Sequence, residues 1–397
     1  MSTVPAETSV TSLAGHRSRR KLTEKDIGPT GPGTLTGRYL RRFWHPIFHA
    51  DALRPGRTRL IRVMSEDFVL YRGQDGAAHL VQARCPHRGM LLSAGTVEGD
   101  GIRCFYHGWK FDGAGACVEQ PAEPKAFCEK IKFRTYPTRE YLGLVFAYLG
   151  EGEPPAFPRI PTFEEPGVLT HTDSYVRPAN FFNNLENLPD TSHLAYAHAH
   201  VTGTWDNYAD GPQIAVEETS WGLKIVAVRP KSGKRLVAYY GMPNMAHAKG
   251  PRNDPEVDYR EFVAWWVPID DDRHTQFTVV VVRNRTREQF DRYLERQTAL
   301  RKQRDLDRET LTRAVLSGET TFDEIDPSRV HILFLQDDVA QAGCGLIHER
   351  PPEHLGRSDV GVIAVRKLWL RELRAFAANE PLTTWTYDPS FEPMGEF

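Results

Sequence analysis

The 397-residue sequence predicts an α+β protein in which a small all-β domain precedes a larger domain with an antiparallel sheet covered by helices. The chain is longer than one ordinary domain. Short β-branched segments and glycine turns fill its first part, whereas strand and amphipathic-helix patterns follow a proline-rich stretch. We expect an N-terminal arm over residues 1–37, an all-β domain over 38–150, a linker over 151–166 and an α+β domain over 167–397.

The predicted strands of the first domain are short and rich in β-branched and aromatic residues. They lie at 58–63, 68–71 and 144–149, and the glycines between 73 and 76 predict a hairpin turn. Prolines after the last of these strands predict an extended linker.

The second domain starts with a helix pattern and continues with strands and two further helices. The helices are predicted at 183–199, 286–317 and 359–377, and the strands at 223–228, 236–240, 261–267 and 276–282. Antiparallel strands that hold a long helix indicate a helix-grip-like architecture.

Composition excludes several classes of protein. A net charge of −2 gives no reason to expect nucleic-acid or anionic-membrane binding. The first 27 residues contain no apolar core of a signal peptide, and no apolar run approaches 18 residues, so we expect a cytoplasmic protein without a membrane span. Cys117, Cys128 and Cys344 are expected to be free thiols, although the first two are close enough in sequence for a disulfide.

Two Cys/His pairs in the first domain form the most specific pattern of the chain. Cys85 and His87 lie in C-P-H-R-G, and Cys104 and His107 lie in C-F-Y-H-G-W. Four such ligands could hold zinc. The glycine turn after each pair favours a Rieske [2Fe–2S] cluster instead, in which two Cys hold one iron and two His hold the other.

A second metal site is predicted inside the helix pattern at 183–199. Asp190 and His193 are three residues apart and share a helix face. His193 and His198 would lie about 140° apart on an ideal helix, so both can bind one ion only if the helix is distorted or ends before His198. Two His and one carboxylate are typical of non-haem Fe(II) centres that bind dioxygen. Surface histidines on a helix are the alternative.

The carboxylate that completes this set is expected from a distant part of the chain. Asp337, which follows an apolar run at the start of a predicted helix, is the best candidate, and Asp338 is the neighbouring alternative. Both acids would otherwise be interpreted as helix-capping residues.

These motifs resemble the catalytic α subunits of Rieske non-haem iron oxygenases over residues 35–376. The sequence is most similar to the branch of phthalate dioxygenase and 5,5′-dehydrodivanillate O-demethylase, through the stretches 180–187, 336–345 and 353–359. The family pattern D/E-x3-D-x2-H-x4-H is matched by Glu186, Asp190, His193 and His198.

The resemblance implies one [2Fe–2S] cluster on Cys85, His87, Cys104 and His107, and one Fe(II) on His193, His198 and Asp337, in each subunit. Asp190 is then expected to connect an iron-bound His to a cluster His, His107, of the next subunit. This arrangement implies a head-to-tail homotrimer, or a dimer of trimers.

The resemblance also implies an enzyme that uses O2 to hydroxylate an aromatic acid, with O-demethylation of a methoxylated aromatic acid as the alternative. No G-x-G-x-x-G pattern opens a helix after a strand, so we expect a separate reductase or ferredoxin to supply electrons. A Rieske electron carrier and a ligand-binding module are the rival interpretations.

Candidate residues for substrate contacts are apolar side chains near the predicted iron and on the predicted strands, together with arginines that could pair with a carboxylate. They are Phe181, Phe182, Leu185, Leu194, Tyr239, Tyr240, Met242, Trp265, Trp266, Arg229, Arg235 and Arg283. For most of them, ordinary core packing or solvent exposure is the simpler interpretation.

Overall fold

The computed structural model describes residues 22–199, 211–250, 254–255, 260–283 and 285–387. The first 21 residues of the predicted arm lie outside this part of the chain. The described strands are β1 (Trp44–His49), β2 (Thr58–Val63), β3 (Glu66–Arg72), β4 (Ala78–Gln82), β5 (Thr96–Glu98), β6 (Gly101–Arg103), β7 (Lys110–Phe111), β8 (Cys117–Glu119), β9 (Thr135–Tyr136), β10 (Thr138–Tyr141), β11 (Leu144–Tyr148), β12 (Leu169–Arg177), β13 (Gln213–Glu218), β14 (Gly222–Val228), β15 (Arg235–Gly241), β16 (Met245–Gly250), β17 (Arg260–Pro268) and β18 (His274–Val282).

The described α-helices are α1 (Leu35–Leu40), α2 (Phe181–Asn187), α3 (His193–Tyr196), α4 (Arg287–Gln303), α5 (Arg308–Ser317), α6 (Ile332–Gly343) and α7 (Val360–Ala378). None of the helices in the described part of the chain is long and apolar enough to cross a membrane.

Strands β1 to β11 form three small antiparallel sheets, with the orders β1-β11-β10, β2-β3-β4-β9 and β5-β6-β7-β8. A separate core lies beneath the two Cys/His loops and contains Val81, Ile102, Phe111 and Phe133. The first loop follows β4, and the second connects the adjacent strands β6 and β7.

Strands β12 to β18 form one seven-stranded antiparallel sheet with the order β12-β18-β17-β16-β15-β14-β13. Helices α2 and α7 pack against this sheet through aromatic side chains. Trp369 of α7 donates a hydrogen bond of 2.6 Å to the buried hydroxyl of Tyr240, and its ring lies 5.8 Å from Phe181 and 5.6 Å from Phe182. This architecture confirms the predicted fold class.

Two predicted helices are shorter than the sequence pattern suggested. The helix expected over 183–199 is divided into α2 and α3, because Pro189 has no N–H to continue α2. The helix expected over 286–317 is divided into α4 and α5. There the side chain of Asp307 accepts a hydrogen bond of 2.8 Å from the backbone N–H of Thr310 and caps α5.

The described end of the predicted arm packs against the second domain. Ile27 is fully buried. The backbone N–H of Thr30 donates to Asp271 at 2.7 Å, and the carbonyl of Gly28 accepts from Asn180, the N-cap of α2, at 3.1 Å. The segment therefore covers the start of the helix that carries the second motif.

The three cysteines outside the cluster motif are free thiols, as expected. Cys117 and Cys128 lie side by side, with 3.6 Å between their sulfurs, whereas Cys344 is exposed.

Candidate metal centres

The two Cys/His loops have matching backbone geometry. In the first loop the N–H of Cys85 donates to Met90 O at 2.8 Å, and the N–H of Gly89 donates to Cys85 O at 2.9 Å. In the second loop the N–H of Cys104 donates to Trp109 O at 2.8 Å, and Gly108 donates to Cys104 O at 3.1 Å. Each loop is therefore a closed turn that presents its Cys and His from a fixed backbone.

Glycine is required at the same place in both turns. Gly89 has φ +74° and Gly108 has φ +72°, a region that L side chains rarely adopt. An arginine tightens each turn, because Arg84 and Arg103 each donate 2.8 Å hydrogen bonds to the carbonyls of Gly89 and Gly108, respectively.

The four side chains of these loops suit a [2Fe–2S] cluster. The Cys85 and Cys104 sulfurs are buried, and the rings of His87 and His107 lie 4.5 Å apart. His87 also stacks on Trp109 at 4.4 Å. Burial raises the pKa of the Cys85 thiol to about 11; a backbone hydrogen bond from His87 lowers this pKa, and the neighbouring Cys104 raises it. A thiolate at this position therefore needs a nearby cation such as iron.

The second motif begins where α2 ends. Pro189 follows the helix, and the Oδ1 of Asp190 accepts hydrogen bonds from the backbone N–H groups of Ser192 at 2.9 Å and His193 at 3.3 Å. These bonds start the short helix α3. His198 lies in the turn after α3 and not on the helix itself, so the helix ends before His198, as binding of one ion by both histidines requires.

The structure brings His193, His198 and Asp337 together, with one ligand atom from each residue within 4.8 Å of the others. Asp337 Oδ1 lies 3.3 Å from His198 Nε2 and 3.8 Å from His193 Nε2. Burial opposes ionisation of Asp337, but hydrogen bonding to His198 and the charge of Arg177 outweigh it and lower its pKa to about 2. An ionised carboxylate and two imidazoles are a donor set that suits Fe(II).

The adjacent acid has a different environment. Asp338 is fully buried and accepts a 2.7 Å hydrogen bond from Arg177 Nε. Because consecutive helical residues differ by about 100° in direction, only one of the two acids can face the histidines. The structure places Asp337 there.

Two residues without a predicted role orient the His193–His198–Asp337 group. Gln336 Oε1 lies 2.9 Å from His198 Nδ1, so Nδ1–H donates and Nε2 is left to face Asp337. Asn187 Nδ2 donates to Asp337 Oδ1 at 3.4 Å. Gln336 directly precedes Asp337, and that adjacency was the only sequence signal for its role.

Asp190 lies beside the His193–His198–Asp337 group. Its Oδ2 is 3.8 Å from His193 Nδ1, which is longer than a hydrogen bond, and its side chain is about one-third exposed, at 31%. The Asp190 carboxylate is therefore close to the imidazole of His193 and also accessible from outside the subunit.

Glu186, the first acid of the motif, takes part in a buried ion network. It pairs with Arg366 at 2.5 Å and with Arg350 at 2.8 Å, and both arginines also pair with Glu353. Arg350 donates to Asn183 at 2.8 Å. Glu186 thus fixes α2 to α7 and contributes no atom to the His193–His198–Asp337 group.

Most of the apolar pocket candidates are core residues. They are almost fully buried and contact one another or the sheet: Phe181, Phe182, Leu185, Tyr239, Tyr240, Met242, Trp265 and Trp266. Leu194 is half-buried. Arg283 pairs with Glu261 and Glu165 at the end of β18.

A shallow depression with room for about one water molecule, about 10 Å³, lies next to the second motif. Thr191, which follows Asp190, forms one side, and the cations Arg229, Lys234 and Arg235 contribute to the other. Arg229 is buried, whereas Lys234 and Arg235 are exposed.

Comparisons with known proteins agree with this geometry. Residues 43–137 match the Rieske [2Fe-2S] domain family. The 5,5′-dehydrodivanillate O-demethylase oxygenase subunit of Sphingobium sp. (strain NBRC 103272 / SYK-6) is 30% identical over 92% of this chain and 82% of that protein. The phthalate 4,5-dioxygenase oxygenase subunit of Pseudomonas putida is 30% identical over 87% and 84%, respectively.

The fold also matches a solved structure, the carbazole-bound oxygenase and ferredoxin complex of carbazole 1,9a-dioxygenase. The TM-score is 0.62 with 20% identity, over 85% of this chain and 90% of that chain.

A Rieske domain followed by a sheet-and-helix domain defines a class of two-domain redox enzymes. This chain belongs to the family of Rieske-type oxygenase subunits. It is an oxidoreductase that acts as a terminal oxygenase component, and its cofactors are a Rieske [2Fe–2S] cluster and a mononuclear iron.

Proposed function

We propose that this oxygenase hydroxylates an aromatic acid with O2, using electrons that a separate reductase or ferredoxin delivers to the cluster. His193, His198 and Asp337 would hold the mononuclear iron, and Cys85, His87, Cys104 and His107 the cluster. The observation that carries the proposal is the convergence of two imidazoles and one ionised carboxylate within 4.8 Å. A Rieske electron carrier would have no use for this second donor set.

The bound iron would activate O2, and the residues around the site hold and orient the three side chains that bind the iron. Gln336 keeps His198 Nε2 directed at Asp337, and Asn187 holds the Oδ1 of Asp337. The capped loop at Asp190 fixes the direction of His193. These contacts keep three donor atoms together from two distant parts of the chain.

We propose that Asp190 connects this site to the cluster of a neighbouring subunit in a head-to-tail homotrimer. The partly exposed Asp190 supports this role, as do exposed aromatic side chains beside both centres. Phe105 and Tyr106, next to His107, are 74% and 53% exposed, and Tyr196, between the two histidines, is 59% exposed. Large exposed aromatic side chains next to redox centres are typical of contact surfaces. Residues of the cluster loop would thus face the iron site of the next copy.

The substrate class is supported by the two relatives. Phthalate and dehydrodivanillate, the compounds in the names of the two relatives, are both aromatic carboxylates. We therefore expect an anionic aromatic compound to bind in preference to a neutral one, within the cytoplasm.

O-demethylation of a methoxylated aromatic acid is the second candidate, and the similarity to the O-demethylase subunit favours it. Hydroxylation of a methoxy carbon yields a hemiacetal that loses formaldehyde, so both outcomes need the same oxidising site. The two candidates differ only in which substrate carbon reaches the iron.

Metal content tests the site, and a substrate screen tests the reaction. Anaerobically loaded protein should hold about three irons per chain, and the His193→Ala variant about two, because the cluster keeps its own pair. Aromatic acids with and without methoxy groups, supplied with a surrogate reductase and ¹⁸O₂, should give labelled product or formaldehyde. Three irons retained in His193→Ala would contradict the proposed site.

A further inference from the structure

The two carboxylate oxygens of Asp337 face different partners. Oδ1 faces the two imidazoles, at 3.3 Å from His198 Nε2 and 3.8 Å from His193 Nε2, and accepts from Asn187 at 3.4 Å. Oδ2 lies 3.6 Å from the guanidinium Nη2 of Arg177. Oδ1 of Asp337 therefore faces the two histidines, and Oδ2 faces Arg177.

Arg177 cannot easily withdraw from Oδ2, because its other nitrogens are occupied. Its Nε donates to Asp338 Oδ1 at 2.7 Å, and its Nη1 donates to Gln276 Oε1 at 3.1 Å. Its guanidinium carbon lies 5.5 Å from the ring centre of Phe334. The side chain is only 3% exposed. Within the described residues its buried Nη2 forms no hydrogen bond, and Asp337 is the acid it faces.

Asp338 is the fully buried acid that balances the charge of the buried Arg177. Its Oδ1 pairs with Arg177, and its Oδ2 lies 3.6 Å from Nη1 of Arg308, which in turn stacks over Tyr175 at 4.9 Å. Two arginines thus balance two adjacent acids in a low-dielectric setting. Arg308 has an ion pair with Asp338 and none with Asp337, so it serves as a matched control for Arg177.

We propose that Arg177 is a positioning residue that holds Oδ2 of Asp337, so that this carboxylate offers the metal Oδ1 alone. Because Nε and Nη1 are hydrogen-bonded to Asp338 and Gln276, Nη2 is kept beside Oδ2 as a fixed positive charge. A carboxylate that binds through one oxygen occupies one position on the iron and leaves the others for O2 and substrate. This inference rests on the proposed iron site.

The test uses full-length, cluster-loaded protein titrated anaerobically with Fe(II), followed by electron paramagnetic resonance of the nitric oxide adduct of the mononuclear iron. The variant is Arg177→Gln combined with Asp338→Asn, which removes both charges of the buried Arg177–Asp338 pair and also the partner of Arg308. We expect Fe(II) affinity to fall by about 10- to 100-fold and the spectrum to change its rhombicity. Asp338→Asn alone, which keeps Arg177 beside Asp337, and Arg308→Gln should both keep the wild-type values.

Wild-type rhombicity with unchanged or tighter Fe(II) binding in the double variant would overturn the inference. If that variant does not fold, as judged by cluster absorbance and thermal unfolding, Arg177→Met with Asp338→Leu gives the same comparison with an apolar pair. His193→Ala separates the two claims. Retained iron in His193→Ala contradicts the proposed site itself, whereas its loss together with an unchanged double variant contradicts only the role of Arg177.

Discussion

At the scale of single residues, Asp190 combines backbone hydrogen bonds with a position beside the proposed iron ligand His193. Oδ1 accepts the backbone N–H groups of Ser192 and His193 and thereby starts α3. Oδ2 faces His193 Nδ1 at 3.8 Å and is accessible at the surface. An amide in the same place retains an acceptor oxygen for the backbone but carries no negative charge.

Replacing Asp190 with Asn should therefore keep both metal centres and lose most of the turnover, by at least about tenfold. The measurement is product formed per O2 consumed, together with iron content. Asp190→Ala is the control for the structural contact, because it also removes the two hydrogen bonds to the backbone before α3, at a cost of about 1 kcal/mol in unfolding free energy. Normal coupled turnover in Asp190→Asn would exclude the bridging role.

The sequence was sufficient to place the four predicted cluster ligands on loops and to select His193 and His198, which the structure brings together with Asp337. It could not distinguish Asp337 from Asp338, because the orientation of α6 decides which neighbour faces the histidines. Arg177 gave no sequence signal. It lies at the end of β12, far from α6 along the chain, and meets Asp337 only when the sheet and helix pack.

At the scale of elements, α2 connects the two parts of the chain that carry the proposed iron ligands. Glu186 holds this helix to α7 through Arg366 and to the preceding loop through Arg350. Asn183 adds hydrogen bonds to the carbonyls of Gln341, at 2.7 Å, and Gly345, at 2.9 Å, at the end of α6. The helix before His193 and the helix that carries Asp337 are thus joined directly.

Glu186→Gln should lower the unfolding free energy by about 1 to 3 kcal/mol, because Arg350 and Arg366 each lose one of two acid partners and keep Glu353. We expect mononuclear iron to be lost at a lower temperature than the cluster, as measured by iron content and calorimetry. Asp291→Asn, which breaks the exposed ion pair with Arg287, is the control and should cost less than about 0.5 kcal/mol. Equal effects of the two substitutions would contradict this account.

The helix predicted over 183–199 illustrates what a single sequence can establish about an element. The five-residue spacing of His193 and His198 predicted a distortion, and α3 does end at Tyr196, before His198. The shared helix face expected for Asp190 and His193 is not formed, because the break at Pro189 leaves Asp190 before the start of α3. The division of the helix predicted over 286–317 depends on Asp307 acting as an N-cap. Asp is frequent on helix surfaces as well, and the charged, leucine-spaced pattern continues through the break.

At the scale of the whole molecule, two fully buried histidines couple stability to pH. His45 donates from Nε2 to Leu40 O at 2.7 Å beside Asn244, and His274 donates from Nδ1 to Ala179 O at 2.7 Å. Burial lowers the pKa of His45 to about 4 and that of His274 to about 3, opposed by these backbone bonds. Both rings are therefore neutral in the folded protein near neutral pH.

Stability should fall as the pH drops below about 6.5, because the unfolded chain then binds protons that the folded chain excludes. Each histidine contributes a slope of about 1.4 kcal/mol per pH unit, until its folded pKa is reached. Urea unfolding between pH 7 and 5 measures this slope. His45→Gln keeps a donor for Leu40 and should reduce the slope, and an unchanged slope would refute the assignment to His45.

The proposed assembly predicts complementation between defective subunits. His107→Ala chains should lack the cluster, and His193→Ala chains should lack the mononuclear iron, so each alone should be inactive. Mixed oligomers formed by co-expression should regain part of the activity, because an intact cluster then lies next to an intact iron of another chain. Mixed oligomers without activity would indicate transfer within one subunit.

The most direct measurement follows the cluster during a single turnover. Reduced protein is mixed with O2 and an accepted aromatic acid, and the cluster is monitored by its visible absorption. In the wild type we predict that the cluster is oxidised as product forms, because its electron passes to the site of His193, His198 and Asp337. In His193→Ala we predict that the cluster stays reduced over the same interval. Oxidation of the cluster at the wild-type rate in that variant would contradict the account.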